Sequence, residues 1–546
     1  MAKLYCRQNL VETEIPQLDR DIRRYIEENK SEDYDSVIGN DPRWEVFLHL
    51  SQMRTSLVNW YEFKAGSTLL EIGGGFGALT GVFCDRCGSV TVLESSPYRA
   101  ETICKRYENR QNLSVYAETP ESFQPSEKFD YIVLVGGLEN IARAGMLAKD
   151  YSVYLKRLEA WLKPDGKLLL AVDNRYGLRY FCGAPERHTG KPFRGLNQYP
   201  DSPAGQAFAR QELISILEAA GFSHHKFYYP LPDYMVPQLI YSEAYLPQKD
   251  VCERLVFYYE DTASLVVDER LLYEDIIENQ VFEFFANSFF VECGWDKGCS
   301  VIYGALTTDR GPECALATTI HDNDTVKKKA LYSAGIKSVR SVYENIQELE
   351  QRGIHVVPHQ WEDRGVAMPF VKSVTFSDYL RSIVKEKPDL FEELLDMLYS
   401  QILMSSDRAA DEENTLLEGA DKHIDFGPIL KKAYIDMVPF NCFYVNNEFV
   451  FFDQEFSRTN FPAKYVLFRA LKYTYLSISF AEEYVPLGKL IGKYHMGELW
   501  PIFTKEEDRF VGGNRRYDIY RNFYSRTWVD RQQIYDNGDR LLKGTV

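Results

Sequence analysis

No stretch of this chain approaches the roughly 18 consecutive apolar residues that a membrane-spanning helix needs. Its first nine residues, Met1-Ala2-Lys3-Leu4-Tyr5-Cys6-Arg7-Gln8-Asn9, lack the apolar core of a signal peptide, so a cytoplasmic chain is expected. Internal repeats and low-complexity tracts are missing too. Ten cysteines occur without a framework spacing, which favours reduced thiols over disulfides. The pair Cys84-x-x-Cys87 has no second pair nearby to complete a zinc site. Positive charge is short: 63 Lys and Arg face 80 Asp and Glu, a net charge of −17 that repels a polyanion and counts against a nucleic-acid substrate.

What is present is enough for more than one core. The 546 residues imply two or three domains, and an apolar fraction of 45% can fill them. The most informative segment is Leu69-Leu70-Glu71-Ile72-Gly73-Gly74-Gly75-Phe76-Gly77-Ala78-Leu79-Thr80: an apolar strand, an acidic residue, a glycine loop and the start of a helix. Glycine suits a sharp turn whose backbone approaches a ligand, where a Cβ would clash. A second strand, Val90-Thr91-Val92-Leu93, ends in Glu94 and Ser95, where such folds place a carboxylate on the ribose hydroxyls of an adenosine-containing cofactor.

Gly73, Gly75 and Ala78 also fit the looser dinucleotide pattern. Glu71 argues against it, because a buried anion facing a pyrophosphate is unfavourable, whereas a cationic cofactor would welcome it. The segment resembles motif I of class I S-adenosylmethionine-dependent methyltransferases, carried by Glu71, Gly73, Gly75 and Gly77. Later segments keep that order. Asn112–Glu118 reads as a third strand with an acidic end, and Phe129–Gly137 as a fourth that ends in Gly136 and Gly137. Leu162–Leu170 turns into a fifth strand. The resemblance implies that Glu118, Gly136 and Gly137 join the cofactor site.

Methyltransferases that act on base amines carry an Asn/Asp-Pro-Pro-aromatic turn after the fourth strand. Gly136-Gly137-Leu138-Glu139-Asn140 has no proline, so base-amine methylation is not expected. The loop after the fifth strand holds Arg175, Tyr176, Arg179, Tyr180, Arg187 and His188, residues suited to an anionic, glycan or sugar-phosphate acceptor and equally common in a solvated loop.

From about residue 286 the pattern changes. Ser300–Leu306 and Glu313–Ile320 read as a hairpin, followed by a strand Thr325–Leu331 carrying Lys328 and a helix Ser338–Gln351 carrying Glu344. Downstream, Asp436-Met437-Val438-Pro439-Phe440-Asn441 has the Asp-x4-Asn spacing of a kinase catalytic loop, and a hairpin turning at Asn446-Asn447 leads to Phe452-Asp453-Gln454-Glu455. Gly365–Phe370 reads as an interlobe hinge and Thr375–Leu380 as a helix start. Asp425-Phe426-Gly427 precedes the catalytic loop, so chain order makes it a turn.

This half resembles aminoglycoside-phosphotransferase-like kinases. The resemblance implies that Lys328 and Glu344 clamp ATP, that Asp436 orients the attacking hydroxyl, and that Asn441 and Asp453 hold magnesium. The expected fold is α/β: a Rossmann-like methyltransferase domain, then an α+β two-lobed kinase-like domain. Expected boundaries are a helical lead-in over 1–44, the methyltransferase over 45–247, a connector over 248–285, an N-lobe over 286–370, and a C-lobe with helical tail over 371–546.

That order is similar to bifunctional enzymes that terminate O-antigen chains by phosphorylating and methylating the glycan end. It implies a cytoplasmic transferase in surface polysaccharide biosynthesis, using S-adenosylmethionine and ATP with Mg2+ and associated with a polysaccharide assembly complex. The other open reading is a single-activity methyltransferase whose second half is a non-catalytic nucleotide- or glycan-binding module.

Overall fold

The computed structural model describes residues 1–6, 14–29, 32–141, 148–200, 205–248, 251–417 and 424–543. The chain forms two compact units, one made of residues 1–309 with 517–546, the other of 310–516.

The first unit is built on a ten-stranded sheet. Its strands are β1 (Lys3–Cys6), β2 (Thr68–Ile72), β3 (Ser89–Leu93), β4 (Leu113–Ala117), β5 (Phe129–Val135), β6 (Leu162–Asp173), β7 (His224–Leu231), β8 (Leu239–Ser242), β9 (Ser288–Gly294) and β10 (Val301–Leu306). Their spatial order is β1-β4-β3-β2-β5-β6-β9-β7-β8-β10. The first six pair in parallel, while β9 runs antiparallel to both β6 and β7. Val90, Val92, Leu69, Leu70, Ile132, Val133, Leu168, Leu169 and Leu170 are all buried. Such near-continuous apolar runs are what a parallel sheet covered on both faces requires.

Three boundaries differ from the sequence expectation. The lead-in is not wholly helical: Lys3–Cys6 adds a strand beside β4, where it pairs edge backbone groups that would otherwise stay open. The sheet is not finished by residue 247, since Ser288–Gly294 inserts between β6 and β7. Val301–Leu306, expected to open the second domain, pairs with β8. The aromatic tail also belongs here. Tyr520 and Phe523 are buried with Trp44, Phe47 and Phe76 against Ile22 and Ile26 of the helix Gln17–Glu28.

The order of strands reverses at β2, which lies between β3 and β5. The connections leaving β2 and β5 diverge there and open a crevice at their carboxyl ends, the place where open α/β sheets bind ligands.

The second unit has a small antiparallel sheet of β11 (Leu316–His321), β12 (Thr325–Ala330), β13 (Gln360–Glu362) and β14 (Gly365–Pro369). A helix, Ile336–Gln351, buries Val339, Val342, Ile346 and Leu349. A larger helical body follows, with Phe376–Ile383 capped by the Thr375 side chain, Pro388–Met404 and Ala463–Ser477. Two antiparallel strand pairs accompany it: β15 (Ile429–Tyr434) with β18 (Ser457–Pro462), and the hairpin of β16 (Cys442–Val445) with β17 (Glu448–Phe451). Asp425-Phe426-Gly427 is a turn closed by the Gly427 N–H on Asp425 Oδ1 at 2.8 Å, with Phe426 in the core.

Candidate functional site

A cavity of about 350 Å3 opens where β2 and β5 end. Its walls include Glu71, Gly73, Gly74, Gly75, Gly136, His49, Arg54, Arg187, His188 and Tyr234. The glycine loop fits because two of its positions admit no ordinary side chain. Gly75 has φ +57° and its missing Cβ would face the His49 ring at 3.6 Å. Gly77 has φ +79°, and a Cβ there would strike the Tyr107 ring at 2.9 Å. Glu94 lies behind the loop. One carboxylate oxygen accepts from the Gly75 N–H at 2.8 Å and the other from the Ser96 N–H at 3.0 Å. Both carboxylate oxygens are thereby held by backbone at the loop.

Glu71 is buried and accepts from the Thr80 hydroxyl at 2.6 Å. Burial pushes its carboxyl up to about 8, and the neighbouring Glu94 adds to the rise. Arg54, on the same cavity wall, donates from Nη1 to the backbone carbonyls of Tyr234 and Met235 at 2.6 and 2.7 Å. Among the described residues no carboxylate pairs with it. The cavity thus holds one latent anion and one cation, which matches the ammonium and carboxylate of an amino-acid moiety.

At the far wall the expected acceptor loop is differently occupied. Arg179 pairs with Asp233, and Arg175 with Glu212 at 2.6 Å and with Gln198 at 3.1 Å. Tyr176 stacks on Phe284, with ring centroids 5.1 Å apart. These arginines are internal struts. Their charge is neutralised inside the fold, so they do not supply the anion site that the sequence suggested. Arg187, from the same loop, is the centre of the network. It donates to Asp173 at 2.6 Å, to Asp233 at 2.7 Å and to Glu260 at 2.7 Å. Of the loop's candidate residues Arg187 and His188 line the cavity. Burial lowers the pKa of His188.

Ser95 is exposed and Glu118 half-buried, and neither lines the cavity. Gly136 does, at the end of β5, and Gly137 begins the short turn of helix that carries Glu139. Sequence reasoning missed His49, Arg54, Tyr234 and Glu139.

Residues 49–226 match the family model described as "Methyltransferase domain". This segment is a methyltransferase domain. Three solved structures are similar to the chain. The N-methyltransferase NodS from Bradyrhizobium japonicum WM9 in complex with S-adenosyl-L-homocysteine is 20% identical, over 36% of this chain and 84% of that one, with a TM-score of 0.25. An S-adenosylmethionine-dependent methyltransferase from Clostridium acetobutylicum ATCC 824 is 10% identical over 48% and 96%, with a TM-score of 0.28. Mycolic acid cyclopropane synthase CmaA1 is 16% identical over 44% and 81%, with a TM-score of 0.27. A comparison with curated proteins finds no match. No helix among the described residues is long and apolar enough to cross a membrane. None of the ten cysteines forms a disulfide among the described residues.

The methyltransferase domain is accompanied by a second cluster, within residues 310–516. Lys328 on β12 is buried and bonds to Asp453, with Glu455 at 3.3 Å. Glu344 is exposed on the outer face of its helix, so the expected Lys328–Glu344 pair does not form. The helix directs Asn345 inward instead, onto the Gln454 carbonyl at 2.9 Å. Asn441 Nδ2 reaches the carbonyls of Asp436 at 3.3 Å and Asp453 at 3.5 Å. Asp453 stands at φ +53°, an uncommon backbone for aspartate that holds its carboxylate toward Lys328. Asp436 was expected to orient a hydroxyl. Its carboxylate is instead engaged by Arg469 at 3.0 Å and by the Phe456 N–H at 2.7 Å.

Proposed function

We propose that the first unit binds S-adenosylmethionine in the cavity between β2 and β5 and transfers its methyl group to an uncharged, hydroxyl-bearing acceptor such as a glycan. The presence of Glu71 and Arg54 in the walls of one cavity, beside the glycine loop, carries this reading. In it Glu71 takes the cofactor's ammonium, Arg54 its carboxylate, and Glu94 its ribose. The methyl group would then point toward the wall of Gly136, Tyr234 and His188. An oxygen of the acceptor attacks the methyl carbon as the carbon–sulfur bond breaks, leaving its electron pair on sulfur. Paired arginines and surplus carboxylates at this wall disfavour a phosphate acceptor by like-charge repulsion.

Calorimetric titration with S-adenosylhomocysteine tests the cofactor assignment, and a chain that bound none would end it. The pH dependence is a sharper check. Glu71 is mostly protonated below about pH 8, and binding a cation beside it requires the proton to leave. Affinity should therefore rise as pH goes from 6.5 to 8, by up to about tenfold per unit, and level off above that. Glu71→Gln, which cannot ionise, should bind weakly and lose the slope.

For the second unit we propose a kinase-like module that binds a nucleotide with Mg2+, through Lys328, Asn441 and Asp453. The convergence of these residues from β12 and the segments beside β16 and β17 supports it. Engagement of Asp436 by Arg469 favours binding over phosphoryl transfer. The wild type should bind a non-hydrolysable ATP analogue only with Mg2+, and Asp453→Ala should lose at least tenfold in that titration.

A further inference from the structure

Glu139, Asp173 and His188 form a cluster that the cofactor assignment leaves unused. They come from three separate places: the turn after β5, the end of β6, and the loop that follows. One ligand-capable atom from each lies within 4.8 Å of the other two. His188 Nε2 is 3.9 Å from Glu139 Oε1 and 3.8 Å from Asp173 Oδ2. Glu139 and Asp173 are 0% and 1% exposed.

Both carboxylates are anchored on one side and open on the other. Glu139 Oε1 accepts from the Asp173 N–H at 2.7 Å, and Oε2 is buried with no partner among the described residues. Asp173 Oδ1 is held by Arg187 at 2.6 Å, and Oδ2 is buried with no partner among the described residues. The same is true of His188 Nε2. Three such buried atoms on side chains that converge are costly in a fold unless something satisfies them. A single shared proton serves two of these atoms, whereas a cation serves all three. Ligands on a tetrahedral ion at about 2.1 Å stand about 3.4 Å apart, so only small side-chain rotations separate this cluster from a coordination sphere. Imidazole with two carboxylates suits Mn2+, Fe2+ or Zn2+.

We infer that Glu139, Asp173 and His188 bind a divalent transition-metal cation at the acceptor wall of the cavity, and that an acceptor hydroxyl completes its coordination. This role rests on the methyltransferase reading above. Coordination lowers the pKa of a bound hydroxyl. The hydroxyl proton leaves to solvent, the oxygen forms the bond to the methyl carbon, and the sulfonium takes up the carbon–sulfur electron pair. The class of acceptor follows: an alcohol or vicinal diol, whose oxygens chelate a hard cation, rather than an amine.

The test is Mn2+ titration of the full chain, saturated with S-adenosylhomocysteine and followed by electron paramagnetic resonance, in wild type, Glu139→Gln, His188→Ala and Asp453→Ala. The expected result is one Mn2+ site that survives Asp453→Ala and weakens at least tenfold in each of the other two variants. Homocysteine-product affinity should change less than twofold in Glu139→Gln, which shows that the variant is folded. No Mn2+ binding by the wild type, or a site lost only with Asp453→Ala, overturns the proposal. Mn2+ binding without S-adenosylhomocysteine binding would keep the cation site and remove the cofactor reading, so the two failures are separable.

Discussion

Asp233→Ala should destabilise the first unit by about 3–5 kcal/mol, the loss expected when one partner of a buried ion pair is removed and charge is left uncompensated. Asp233 is fully buried. It accepts from Arg179, from Arg187 at 2.7 Å, from the Tyr258 hydroxyl at 2.6 Å and from the Met235 N–H at 2.8 Å. Without it two buried guanidiniums face each other with only Asp173, Glu260 and Glu269 to balance them. Asp233→Asn keeps the shape and should lose most of the same stability, which separates charge from volume. Urea unfolding followed by fluorescence measures both, and a loss under 1 kcal/mol would refute the network's importance. The neighbouring arginines hold the Asp233 carboxyl well below its usual value. A depressed pKa contributes stability that is present above the unfolded value of about 3.9 and fades as pH falls toward the folded one. This part of the fold should therefore resist mild acid, and Asp233→Asn should flatten the acid limb.

Glu94→Ala should weaken S-adenosylhomocysteine binding by about 1–3 kcal/mol, roughly fivefold to 150-fold. Two contributions add. The ribose loses a charged acceptor, and the Gly75 N–H loses the carboxylate that now fixes the loop at 2.8 Å. Glu94→Gln retains an acceptor oxygen and should recover part of the affinity. Calorimetry on the three proteins decides it, and equal affinities would mean that the ribose lies elsewhere.

The parts legible in the sequence were those governed by neighbours along the chain. An apolar strand that stops at an acidic residue and a glycine run reads as a βα turn, because φ and side-chain size are local properties. The Asn446-Asn447 turn was readable for the same reason. Both residues adopt positive φ, +53° and +65°, in a two-residue hairpin loop. Thr375 was recognisable as a helix start and does accept from the Asp378 N–H at 3.1 Å.

Lys328 shows where that reading stopped. A lysine on a strand and a glutamate on the next helix have the spacing of a clamp, but spacing does not say which helical face turns inward. The apolar positions Val339, Val342, Ile346 and Leu349 orient the helix Ile336–Gln351, and that orientation carries Asn345 inward and Glu344 to solvent. Arg175 and Arg179 failed similarly: a basic loop reads as a ligand site until the carboxylates that face it are known.

The sequence by itself determined the strand–loop–helix unit, the acidic strand ends and the short hairpins, since each follows from residues a few positions apart. Only the tertiary structure decided that Ser288–Gly294 completes the sheet, that Asp233 rather than a ligand neutralises Arg179 and Arg187, and that Glu139, Asp173 and His188 converge. The order of strands sets those meetings. Charges distant in the chain become partners only when burial removes water as the alternative.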